Sequence, residues 1–85
     1  MNISLNGKTA VVCGSTAGIG KAIATQLAQS GASLILVARN QEKLNTLAKD
    51  LPGQHKTYVA DFANIQIVKE VAEKIGAENH VDILI

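Results

Sequence analysis

The sequence predicts an α/β fold: a doubly wound parallel sheet in the order β-α-β-α-β-α-β. Three observations carry this expectation. Short apolar runs rich in β-branched residues alternate with longer stretches whose apolar residues recur every three or four positions. Glycines punctuate the junctions. The longer stretches suit crossover helices, which join strands in parallel through right-handed connections.

Each element has its own justification. Lys8–Cys13 (KTAVVC) is a β-rich apolar run ending at Gly14, and reads as the first strand. Gly18 to Gln29 reads as the first helix, with Ile19, Ile23 and Leu27 four apart and Ala24 and Ala28 beside them on one apolar face. Gly31 stands where a left-handed terminating residue is expected. Ser33–Ala38 (SLILVA) is continuously apolar, as a strand covered on both faces should be. Asn40 is an N-cap for the second helix, with Glu42 near the positive end of the dipole. Leu44, Leu47, Ala48 and Leu51 form its apolar stripe, and Pro52-Gly53 stops it. His55–Ala60 reads as the third strand. Asn64 caps a third helix carrying Val68, Val71, Ala72 and Ile75, which Gly76 is expected to end. Val81–Ile85 is the fourth strand. With a strand order of 3-2-1-4, two helices would lie on one face and only the third on the other. The fourth strand would then be an apolar edge.

Composition narrows the function. Eighty-five residues make one small domain at most. A chain of this size buries roughly 60–65% of its unfolded surface. At 47% hydrophobic and 18% charged, it is neither a disordered tail nor a coiled coil. A net charge of +1 gives no footprint for nucleic acid or an anionic membrane, and 2% aromatic content argues against a base-stacking surface. A single cysteine, Cys13, excludes a disulfide framework. His55 and His80 lack partners at ligand spacing, so no metal site is expected. No apolar run is long enough to span a bilayer, and MNISLNGKTA lacks the pattern of a signal peptide. A cytoplasmic, reducing setting is the expectation.

Gly14-Ser15-Thr16-Ala17-Gly18-Ile19-Gly20 separates the first strand from the first helix. Glycine there opens the turn, lets backbone approach a pyrophosphate, and packs the helix close to the strand. The helix N-terminus offers free N–H groups and a positive dipole to phosphate. A tight turn with packing glycines is the plainer alternative, and the surrounding βαβ unit weighs against it. The motif is not a Walker loop, because Lys21 follows the last glycine from inside the helix.

TAVVCGSTAGIGKAIA resembles the opening of the short-chain dehydrogenases/reductases, whose signature is T-G-x-x-x-G-I-G after the first strand. The resemblance runs through the chain. SLILVARN is similar to the family's second strand and cofactor-selecting loop, VADFAN to the step after its third strand, and VDILI to the strand that leads into N-N-A-G. It implies a Rossmann-type sheet, of which residues 1–85 are the N-terminal part, with the catalytic half absent. Cys13 departs from the family's usual threonine; it reads as a small strand-end residue rather than a reactive one.

The resemblance also implies the cofactor. An acidic residue closing the second strand would bond ribose hydroxyls and favour NAD, whereas an arginine accommodates a 2′-phosphate. Here the acidic position holds Ala38, and Arg39 follows. NADP, with NADPH preferred over NADH, is therefore expected. A guanidinium–phosphate bond of roughly 1.5–3 kcal/mol corresponds to about 10- to 150-fold in affinity. Arg39 as a solvated loop residue is the alternative. Asp61 and Phe62 match the family's adenine-contacting step, against the alternative of an ordinary turn aspartate. The expected cofactor-binding set is Gly14, Ser15, Thr16, Gly18, Ile19, Gly20, Arg39, Asn40, Asp61 and Phe62.

No catalytic residue is expected within these positions. The family's acid/base motif is Y-x-x-x-K, and the single tyrosine, Tyr58, is followed four residues on by Phe62. Three readings follow. The chain is the N-terminal part of an NADP(H)-dependent oxidoreductase, moving a hydride between nicotinamide and a carbonyl or alcohol such as a 3-oxoacyl thioester. Alternatively, it is a non-catalytic nucleotide-binding half-module, or an inactive truncated product. The complete enzyme is expected to be a homo-oligomer acting on a small molecule.

Overall fold

The strands and helices alternate along the chain as the hydropathy pattern requires. The computed structural model describes residues 4–14 and 18–85. In chain order the elements are β1 (Thr9–Cys13), α1 (Gly18–Gln29), β2 (Ser33–Ala38), α2 (Gln41–Asp50), β3 (Lys56–Val59), α3 (Ile65–Glu78) and β4 (Ile83–Leu84). All pairs are parallel, and the order across the sheet is β3-β2-β1-β4. The register sets Thr9 against Ser33, Cys13 against Val37, and Ala38 against Val59.

Strand alternation divides the core in two. Ala10, Val12, Leu34, Leu36 and Ala38 meet Ala24 and Ala28 of α1 and Leu44 and Leu47 of α2 on one face. Val11, Ile35 and Val37 face the other side, where Ile75 of α3 packs. β2 thus buries both its faces, which explains its unbroken apolar run. Each fully buried Leu, Ile or Val contributes roughly 1.5–3 kcal/mol by leaving water. The alanines of α1 let that helix approach the sheet closely.

Several boundaries differ from those expected. Ile19 is 79% exposed, so the buried face of α1 begins a turn later, around Ala24. Gly76 does not end α3: the helix runs on to Glu78, and Asn79 stops it in an extended conformation. Asn79 Nδ2 and its own N–H both donate to Ile75 O, which closes the last turn. His55 stands outside β3, its ring engaged with backbone rather than with the sheet ladder. β4 is shorter than Val81–Ile85, although Asp82 N–H and Ile85 N–H still donate to β1 carbonyls.

The α1–β2 turn shows why glycine is needed at one position. Gly31 has φ +100°, and a Cβ there would run into the Asn6 side chain. Leu5 N–H donates to Ser30 O at 2.7 Å, and Leu5 packs on the core beside this turn.

Candidate functional site

The described residues among those expected to bind a cofactor gather at the C-terminal ends of three adjacent strands. That edge is where ligands bind in open α/β sheets. Gly14 follows β1 directly, and its N–H donates to Val37 O at 2.8 Å, tying the turn to β2. Its φ is +67°, and that of Gly18 at the head of α1 is +56°. Both values lie in the left-handed region that glycine tolerates without strain. The place a Cβ would take is open at each. Gly20 is half-buried in the first turn of α1, and Ile19 is exposed beside it. No acidic residue stands in that first turn to oppose the positive end of the helix dipole. Ser15 and Thr16 lie outside the described residues.

At the end of β2, Ala38 is buried and Arg39 is exposed. Among the described residues, no carboxylate pairs with the Arg39 guanidinium. Asn40 caps α2: its Oδ1 accepts from Lys43 N–H at 3.0 Å, which leaves its amide N–H groups to donate elsewhere. At the end of β3, Ala60 N–H donates to Ala38 O at 3.0 Å and aligns that strand end with the second. Asp61 Oδ1 accepts from Ala63 N–H at 3.0 Å, while Asp61 O accepts from Asn64 N–H. Asn64 in turn caps α3 through Ile67 N–H. Phe62 is 49% exposed at the mouth. These residues fit a dinucleotide phosphate: glycine backbone open to close approach, a helix N-terminus with no acidic residue in its first turn, and a guanidinium without a carboxylate partner among the described residues.

The hydropathy pattern did not reveal an apolar groove beside this edge. It has a volume of about 280 Å³ and lies between α3 and the sheet, lined by Val11, Cys13, Val37, Phe62, Val71 and Ile75 among others. Burial against it pushes the Cys13 thiol up from its ordinary value, away from a reactive thiolate. Its signal in the sequence was indirect: Val11, Cys13, Ile35 and Val37 share one face of the sheet, and among the described elements α3 alone covers that face.

Tyr58 has a structural partner, since Asn79 Nδ2 donates to its hydroxyl at 3.2 Å. Lys56 Nζ donates to Asn79 Oδ1 at 2.7 Å, completing a small polar cluster away from the glycine turn.

The strand order, the left-handed glycines and the crevice at the strand ends define a Rossmann-type α/β chain. Comparison with known proteins agrees. Residues 8–85 match the family model described as short chain dehydrogenase. The uncharacterized oxidoreductase YvaG of Bacillus subtilis is 44% identical over 87 residues, covering 100% of this chain and 33% of its own length. A protein of Beutenbergia cavernae, provisionally assigned as an NAD(P)-dependent gluconate 5-dehydrogenase and holding NADP at low occupancy, superposes with a TM-score of 0.90 at 36% identity. That match covers 99% of this chain and 34% of the other. A 3-oxoacyl (acyl-carrier-protein) reductase from Agrobacterium tumefaciens with NADP bound gives 0.85 at 32% identity, covering 95% and 33%. The chain belongs to the short-chain dehydrogenase/reductase family. It spans about a third of the length of the relatives it matches.

Proposed function

We propose that this chain forms the NADP(H)-binding part of an oxidoreductase acting on a carbonyl or alcohol substrate, with NADPH preferred over NADH. The observation that carries the preference is the end of β2. Ala38 stands where an acidic residue would oppose a 2′-phosphate, and the exposed Arg39, without an ion-pair partner among the described residues, follows it. In this reading the N-terminus of α1, beginning at Gly18, holds the pyrophosphate, and the open α-carbon of Gly14 lets it approach closely. Arg39 and the free amide N–H groups of Asn40 hold the 2′-phosphate. The second oxygen of Asp61 and the rim at Phe62 receive the adenine. When bound, the nicotinamide supplies the hydride. The NADP bound to two of the similar solved proteins supports the choice of cofactor.

No Y-x-x-x-K occurs in residues 1–85, so these residues alone are expected to be inactive. A 3-oxoacyl thioester or similar ketone is the substrate class proposed, acted on in the cytoplasm by a homo-oligomer that engages neither nucleic acid nor membrane. Among the described residues, no helix is long and apolar enough to cross a membrane. Fluorescence titration with NADPH and NADH tests the binding reading. A dissociation constant at least tenfold lower for NADPH is expected, and equal constants overturn the preference. Turnover of a carbonyl by residues 1–85 alone would overturn the division of labour.

A further inference from the structure

His55 lies between the turn after α2 and the start of β3, and both its ring nitrogens are engaged. Leu34 N–H donates to Nδ1 at 3.0 Å. A backbone N–H can only donate, so Nδ1 carries a lone pair and the proton sits on Nε2. Nε2 therefore donates to Pro52 O at 2.7 Å. The ring thus joins the Pro52-Gly53 turn to the first residues of β2, at the end of the sheet opposite the glycine crevice. Leu34 is 1% exposed, so its N–H has no ready substitute in solvent.

We propose that His55 is an acid-released clip fastening the α2–β3 turn to the buried start of β2. A second proton on the ring must go to Nδ1. It converts the acceptor into a donor that faces the Leu34 N–H, and the bond is lost. The charged groups on the surrounding elements are Lys8 ahead of β1, Lys56 at the start of β3, and Lys49 and Asp50 at the end of α2. Lys56 is drawn to Asn79, and Asp50 lines a separate cleft between α1 and α2. Among the described residues, none of them forms an ion pair with His55 that would hold a protonated ring in place.

Side-chain nitrogen NMR and amide exchange test the clip directly. At pH 7.5 the ring is expected as the Nε2-protonated tautomer, and the Leu34 amide is expected to be protected from exchange. The ratio of Leu34 to Leu36 protection should fall about tenfold or more between pH 7.5 and 5.5. His55→Asn places an amide oxygen near the Nδ1 position and does not titrate, so its ratio should stay constant over that range. His55→Phe should give a low ratio at both pH values. An Nδ1-protonated ring, an unprotected Leu34 at pH 7.5, a constant ratio in the native chain, or the same fall in His55→Asn would each overturn the proposal.

Discussion

Replacing Arg39 by aspartate reverses the charge at the one position on which the NADP preference rests. The magnitude follows from its surroundings. A hydrogen bond from a charged donor contributes roughly 1.5–3 kcal/mol when shielded. Exposed ion pairs contribute less than about 1 kcal/mol. Arg39 is exposed in the free chain, but a bound phosphate would cover part of it, so about 1.5–2 kcal/mol is expected. That corresponds to roughly a 10- to 30-fold weaker NADPH affinity. NADH lacks the 2′-phosphate and should bind no more weakly; an aspartate able to accept from ribose hydroxyls should strengthen it slightly. Arg39→Lys should fall in between, because an ammonium keeps the charge but not the planar fork. The assay is paired titration of both cofactors by the fluorescence of the reduced nicotinamide at fixed ionic strength. If the NADPH constants of Arg39→Asp and the native chain agree within twofold, the guanidinium is a solvated loop residue and the reasoning fails.

Other substitutions probe the scaffold. Gly31→Ala forces a left-handed φ on alanine and drives its Cβ into Asn6, so urea denaturation should show a loss of about 1–3 kcal/mol. An equal midpoint would mean that the Asn6 contact relaxes freely. Leu44 is fully buried between α2 and the sheet, and Leu44→Ala should cost about 2–5 kcal/mol in the same assay. A loss below about 1 kcal/mol would indicate that this face is loosely packed. Asp82 Oδ2 accepts from Thr9 N–H at 2.9 Å, a bond that holds its carboxyl below the usual carboxylate range, with nearby His80 and Lys8 acting in the same direction. Its stabilising effect is complete above the unfolded carboxylate value of about 4 and is lost as pH falls through the folded value. Asp82→Ala should therefore be less stable than the native chain at pH 7, and the two should converge in strong acid. A gap that does not change with pH would refute the role of the charge.

Local signals in the sequence were enough for the element order and for the bounds of β2. Two periodicities, apolar runs for strands and three-to-four spacing for helices, reflect side-chain directions that any chain must obey. The two asparagine caps were legible for the same reason, since a cap bonds three residues ahead. What escaped depends on partners distant in sequence. Ile19 continues the apolar spacing of α1, yet it lies at the helix head where little of the sheet covers it. Gly76 carries a terminating residue's identity, but nothing forces a positive φ there, and the stop comes from Asn79 bonding back to Ile75. His55 reads as strand by position; its clip to Leu34 spans 21 residues and leaves no local trace.

The crevice residues obey a further constraint that spacing alone does not express. Asn40 and Asp61 each commit one oxygen to the backbone that follows, and among the described residues each keeps a second polar group uncommitted. The committed half fixes where a helix or turn begins; the free half is thereby held in place at the strand end. Gly14 does the same with backbone alone, its N–H spent on Val37 and its α-carbon left open. The bonds that position Gly14, Asn40 and Asp61 also close the ends of β1, β2 and β3. Replacing Asn40 by alanine would then remove a cap and a donor together, whereas Asn40→Asp keeps the cap and places a carboxylate where Arg39 is to receive phosphate. Cofactor affinity should therefore fall further in Asn40→Asp than in Asn40→Ala, while helix stability orders the two variants the opposite way.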